Sequence, residues 1–138
     1  MRNVLIALFL GMGGWLWAAP ATNITFEIDG LPDGNCRLIG MIGDQNYLVD
    51  TLPSVNGVAT YTSDVAMSGG LYYFVFPDQR TYLQFLVDKD QEFTLKAKSY
   101  NPGLTAEAIG SEDNELFFFN QQWEQKWRFR YDSTDKAL

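Results

Sequence analysis

The 138-residue sequence contains no histidine and a single cysteine, Cys36. Without an imidazole there is no Ser-His-Asp or Cys-His catalysis, and zinc loses its usual nitrogen ligand. One cysteine permits neither an internal disulfide nor a Cys-x-x-Cys redox motif. Positive charge is scarce as well. Ten Lys and Arg stand against seventeen Asp and Glu, a formal net charge of −7, and the cations form no run. That balance argues against nucleic acid and against anionic lipid surfaces as partners. There is no internal repeat and no low-complexity segment. No cofactor motif is present: the one glycine cluster, Gly11, Gly13 and Gly14, lies inside an N-terminal apolar segment and cannot serve as a phosphate loop.

That N-terminal segment reads as a signal peptide. Met1-Arg2-Asn3 is a short positive start, Val4 to Trp17 is apolar and uncharged, and Ala19-Pro20-Ala21 supplies small-x-small, so cleavage is expected after Ala21. An uncleaved anchor is the alternative, but the run falls short of the roughly 20 apolar residues a span needs. The protein is therefore expected to be exported, to the periplasm or the outer cell envelope. Cleavage removes one cation, Arg2, leaving nine Lys and Arg against seventeen acids, a net charge of −8.

What the chain has in quantity is aromatic side chains: ten Phe, seven Tyr and four Trp. From Asn23 the apolar pattern has a period of two. Ile24, Phe26 and Ile28 alternate with Thr25 and Glu27, which predicts a half-buried strand. Gly30 to Gly34 is a turn. Cys36 to Ile42 and Tyr47 to Leu52 read as strands, the second ended by Pro53. Asn56-Gly57 is the strongest hairpin signal in the chain and leads into a strand at Val58 to Thr62. Ser63 to Gly69 is a loop. Between Gly70 and Ala97 three strand-like runs are separated by two polar four-residue links, Pro77 to Arg80 and Asp88 to Gln91. They predict a three-stranded antiparallel meander. Its first run, Leu71 to Phe76, is apolar on both faces and is expected to be central and covered on both sides. Ser99 to Leu104 is a loop, and Thr105 to Ile109 a closing strand. The expected architecture is mainly β: an antiparallel β-sandwich of about seven to eight short strands.

After Gly110 the period changes to that of a helix. Ser111 is a good N-cap. Glu112, Asp113 and Glu115 lie in the first turn and Lys126, Arg128 and Arg130 in the last, both favourable to the helix dipole. Leu116, Phe119, Trp123 and Trp127 form one stripe, expected to pack on the domain or on a following segment. Phe117, Phe118 and Phe129 are the surplus apolar side, part of which is expected to be exposed and to promote self-association. Asp132 to Asp135 reads as the cap of a second, truncated helix. The expected organisation is thus 1–21 signal peptide, 22–110 β-sandwich domain, 111–131 C-terminal amphipathic helix and 132–138 the start of a truncated segment.

Candidate chemistry is thin. Cys36, in a strand, reads as a small packing residue. Asp88 and Asp90 have calcium-loop spacing but lack the remaining ligands, so they read as a solvated turn. Glu112, Asp113 and Glu115 could supply acid/base carboxylates, yet the first helical turn accounts for all three. Ser111 has no lysine base placed beside it. Asn23-Ile24-Thr25 matches a glycosylation acceptor, relevant only in a eukaryotic secretory route. The aromatics remain. Tyr72, Phe74, Phe76, Tyr82, Trp123 and Trp127 are the candidate surface for a protein or glycan ligand. Buried under the helix, the Tyr72, Phe74 and Phe76 face would instead be core, and core is preferred, because an exposed patch of that size invites association.

The order of these motifs resembles the N-terminal β-sandwich domain called domain of unknown function 4369, typical of exported Bacteroidetes proteins. The matching residues are Phe26-Glu27-Ile28-Asp29-Gly30-Leu31 with Asp33-Gly34, Asp50-Thr51 before Asn56-Gly57, Gly70-Leu71-Tyr72, Phe85-Leu86-Val87-Asp88, and Ile109-Gly110-Ser111-Glu112-Asp113-Asn114. They cover about Asn23 to Trp127. Ala59-Thr60-Tyr61 departs from the pattern, where a large aromatic is expected directly after the Asn-Gly turn. That domain often precedes a thioredoxin-like domain of the thiol-disulfide interchange or alkyl hydroperoxide reductase type. The resemblance therefore implies a non-catalytic accessory domain of an exported thioredoxin-like oxidoreductase, serving substrate docking or dimerisation, with the downstream domain as partner. No thioredoxin fold lies within these residues, so no redox role transfers to any of them. The alternative is a stand-alone exported module that binds a glycan or peptide.

Overall fold

The structure is a computed structural model that describes residues 20–137, with side chains as far as Arg128. The segment read as a signal peptide lies, up to Ala19, outside the described residues. Eight strands form: β1 (Thr22–Asp29), β2 (Gly34–Ile42), β3 (Gln45–Ser54), β4 (Val58–Ser63), β5 (Gly70–Val75), β6 (Tyr82–Val87), β7 (Glu92–Lys98) and β8 (Glu107–Ile109). A single helical turn, α1 (Pro102–Thr105), interrupts the expected Ser99 to Leu104 loop, and a long helix, α2 (Glu112–Ala137), ends the chain.

The strands make two four-stranded sheets, in the orders β4-β1-β7-β8 and β3-β2-β5-β6. Each turns its alternating apolar residues toward the other. Ile24, Phe26 and Ile28 of β1 and Phe93, Leu95 and Ala97 of β7 come from one sheet. Cys36 and Leu38 of β2, Tyr72 and Phe74 of β5, and Leu83, Phe85 and Val87 of β6 come from the other; all belong to one buried cluster. Phe26 is the pin between the sheets. Its ring stacks on Phe74 at 4.1 Å and meets Phe85 edge-on at 5.4 Å. Each such side chain contributes about 1.5–3 kcal/mol through burial, and the ring geometry adds about 0.5–1.5 kcal/mol per pair.

The expected meander is only half present. β5 and β6 form the antiparallel hairpin, with Val75 opposite Tyr82. β7 then leaves for the other sheet, where it runs parallel to β1 and antiparallel to β8, so that sheet is mixed rather than antiparallel. Gln91 holds the crossing. Its carbonyl accepts the Asn23 N–H at 2.8 Å. Its side-chain oxygen accepts Thr22 Oγ1 at 2.8 Å and the Met67 N–H at 2.9 Å, and its amide donates to the carbonyls of Asp88 and Met67. β5 is central in its sheet, between β2 and β6, but only Tyr72 and Phe74 are buried. Leu71, Tyr73 and Val75 on the outer face are half-buried, so that face is not fully covered as expected.

Asn56-Gly57 forms the expected tight turn. Both residues have positive φ, 53° and 80°, and Val55 and Val58 exchange two 3.0 Å bonds across it. A Cβ on Gly57 would lie 2.7 Å from the Ile28 carbonyl oxygen, so only glycine fits. The turn carries the chain from one sheet to the other. Pro53 does not end β3 but lies within it, opposite Asn35. β3 is an edge strand, where a missing N–H need not cost a ladder bond. α2 likewise passes straight through Asp132 to Asp135, where a second helix was expected to start. No Gly or Pro follows Ser111, so nothing in the backbone breaks the first helix.

Candidate functional site

α2 docks by its first turns, against β8, α1 and the edge of β6. Ser111 is the N-cap: its Oγ accepts the Asn114 N–H at 3.2 Å. Asn114, fully buried, acts as a strand partner. Its Oδ1 accepts the Leu86 N–H at 2.7 Å, and its Nδ2 donates to the Leu86 carbonyl at 2.8 Å and to Ser111 Oγ at 3.0 Å. One turn on, Phe118 is 2 % exposed. Then Gln121 donates to Gln84 Oε1 at 3.2 Å and Gln122 to the Ala106 carbonyl at 3.1 Å.

This reverses the expected orientation of the helix. Phe118 is buried and Phe117 half-buried, whereas Leu116, Phe119, Trp123 and Trp127 are 62 %, 61 %, 49 % and 52 % exposed. At about 100° per residue, Asn114, Phe118 and Gln121 centre on one side of α2 and the Leu116-to-Trp127 stripe on the opposite side. The docked face meets polar groups, the backbone edge of β6 at Asn114, the Gln84 side chain at Gln121 and the Ala106 carbonyl at Gln122, so it carries Asn and Gln. A search for the most apolar stripe therefore selects the wrong face. The stripe is ordered on the surface: Phe119 stacks on Trp123 at 6.3 Å, and Trp123 meets Trp127 edge-on at 5.7 Å.

The other aromatic candidates separate. Tyr72, Phe74 and Phe76 are at most 3 % exposed; they are core, as preferred, but they face the opposite sheet rather than the helix. The Tyr72 hydroxyl donates to the Ser68 carbonyl at 2.6 Å. Burial, with the neighbouring Tyr47 and Tyr61, raises its phenol well above the ordinary range. Tyr82 is half exposed, edge-on to Tyr73 at 5.4 Å. It stands in a groove of about 460 Å³ between β6, α1 and α2, among Arg80, Gln84, Asn101, Gln121 and Arg128. Three separate segments, 80–84, 101–104 and 121–128, assemble that groove, so no local motif announces it.

The nucleophile and carboxylate candidates gain nothing from the fold. Cys36 is wholly buried on β2. Burial pushes its thiol up from its ordinary value, with a smaller opposing effect of a hydrogen bond with Ser54. Asp88 and Asp90 sit in the β6–β7 crossing. Glu112 lies at the surface, 3.8 Å from Lys89. Among the described residues no three His, Cys, Asp or Glu converge as a metal site. No helix among the described residues is long and apolar enough to cross a membrane. Compared with known proteins, the chain matches no family model, no curated protein and no solved structure.

Proposed function

We propose that this chain is a non-catalytic docking domain of an exported cell-envelope protein, a β-sandwich whose α2 presents a partner-binding face. The observation that carries the reading is the solvent-facing stripe of Leu116, Phe119, Trp123 and Trp127, opposite the anchored face of its helix. Contiguous exposed apolar surface with ordered aromatics is characteristic of interaction sites. The sequence resemblance to domain of unknown function 4369 supplies the setting: residues 1–21 direct export, and the domain serves a thioredoxin-like oxidoreductase. Two four-stranded sheets sharing one core support the sandwich. The buried, protonation-favoured Cys36 supports placing the redox chemistry outside this chain.

Two measurements test this. In an insulin-reduction assay the purified protein and Cys36→Ser should be equally inactive; a wild type that outperforms the variant would overturn the non-catalytic assignment. A photo-crosslinking residue at Phe119 in an exporting cell should yield defined adducts that the same residue at exposed Val65 does not. Equal labelling from both positions, or none, would remove the docking face.

A glycan or extended peptide in the groove beside Tyr82 is the second reading. A half-exposed ring surrounded by planar amides and two guanidinium groups can stack on a sugar while donating to its hydroxyls. Titration with oligosaccharides, followed by the Tyr82 ring resonances, decides it; no perturbation at millimolar sugar would rule it out.

A further inference from the structure

The solvent side of α2 is ordered by charge along its length. Glu112 and Glu115 open the line, Leu116, Phe119, Trp123 and Trp127 fill its middle, and Lys126 lies at its far end, with Arg130 at the following turn of the backbone. Turned end over end, the line matches itself. Phe119 comes opposite Trp123, Leu116 opposite Trp127, Glu115 opposite Lys126, and position 112 opposite position 130. Each of these pairs is centred within half a residue of position 121. A single common centre is what a two-fold contact requires, since residue i must meet j while j meets i. A parallel pairing would instead set Glu115 against Glu115 and Lys126 against Lys126, which like-charge repulsion disfavours.

We propose that α2 docks antiparallel on the α2 of a second copy of this chain, about a two-fold axis at the level of Gln121. This rests on the docking reading above and names its partner. The geometry permits it: Asn114 and Gln121 bond α2 to its own β6, and α2 also packs on β8 and α1, all from the opposite side, so the two β domains lie outward of the helix pair. Three half-exposed aromatics and a leucine offer roughly 400 Å² of apolar surface per protomer, taking about 150–250 Å² for a whole aromatic side chain. That is about half of a standard interface side, so the dimer forms and dissociates with concentration rather than being permanent.

Sedimentation velocity of the purified protein from micromolar to several hundred micromolar tests this. A reversible monomer–dimer equilibrium is expected. Trp123→Ser, at a half-exposed position, should weaken it about tenfold or more while leaving the circular dichroism spectrum intact. Glu115→Lys alone and Lys126→Glu alone each create two like-charge pairs per dimer and should each weaken it about tenfold. The double variant Glu115→Lys with Lys126→Glu should return to within about threefold of the wild type, and a mixture of the two single variants should form a heterodimer tighter than either homodimer. Loss of folding cannot imitate that rescue. A protein monomeric at every concentration, a dimer indifferent to Trp123→Ser, or charge swaps without rescue would each overturn the proposal. A monomer whose position-119 crosslinks reach a different protein, or a downstream segment of its own polypeptide, rejects the second copy and leaves the docking reading standing. A monomer without crosslinks removes both.

Discussion

Asn114 shows how one amide can end a sheet. The outward N–H and C=O of Leu86, on the edge strand β6, are both taken by its side chain, at 2.7 and 2.8 Å, and the edge is thereby closed to another strand. Asn114→Ala would leave both groups in a partly buried site without their partner. It should cost about 2–4 kcal/mol, since each orphaned buried group costs about 1–3 kcal/mol. Asn114→Asp keeps the shape but loses the donor, so it should also destabilise; urea midpoints of the two variants against the wild type measure both. The Ser-x-x-Asn spacing was legible in the sequence as a helix start. Its second role was not, because the partner lies 28 residues away. Two buried protonated groups set the alkaline limit. The Cys36 thiol and the Tyr72 phenol are both raised, first by burial. A raised folded-state value means that their contribution is complete below the unfolded values and is lost as pH rises through the folded ones. Stability should therefore be flat up to about pH 9, the ordinary value for the thiol, and fall above it. Cys36→Ala and Tyr72→Phe should each flatten that fall in denaturation midpoints taken between pH 7 and 11; an unchanged slope in both would contradict it.

At the scale of elements, period-two alternation located β1, β6 and β7, turn signals and apolar runs located the other strands, and the change of period after Gly110 located the long helix. Alternation says which side of a strand is apolar, not which sheet the strand joins. Leu83, Phe85 and Val87 of β6 and Phe93, Leu95 and Ala97 of β7 would read the same in one sheet or in two facing ones. The crossing is decided by Gln91 and its bonds to Thr22, Asn23 and Met67, none of which alternation reveals. The helix misleads for a related reason. Its stripe is more apolar than its docked face, because that face meets a strand edge, a side-chain amide and a loop carbonyl, all polar. The consequence is measurable as a contrast between neighbours. Phe118→Ala removes a buried ring and should cost about 3–5 kcal/mol, whereas Trp123→Ala, half exposed in one protomer, should cost about 1 kcal/mol or less at dilute concentration. Equal losses in denaturant midpoint, or the reverse order, would mean that the helix docks by its stripe after all.

At the scale of the whole molecule, the two sheets share one core, and the chain passes between them four times, across 30–33, at Asn56-Gly57, across 64–69 and at Gln91, so neither sheet has apolar packing of its own to stand on. A domain of this size with one core unfolds as a unit. The tryptophans offer an independent view of that event. With residues 1–21 removed, Trp123 and Trp127 are the only two left, both on α2 and both about half exposed. None reports from inside the core. Through urea denaturation at dilute concentration, tryptophan emission should therefore shift little while the far-ultraviolet circular dichroism of the sheets is lost in one step. Where α2 pairs with a second α2, the same indoles are covered, and the native emission should move to shorter wavelength as protein concentration rises. The tryptophan signal should then report association, and the circular dichroism folding, with separate concentration dependences. A native emission already blue-shifted at the lowest concentration, lost together with the dichroism, would show the stripe packed within the single protomer.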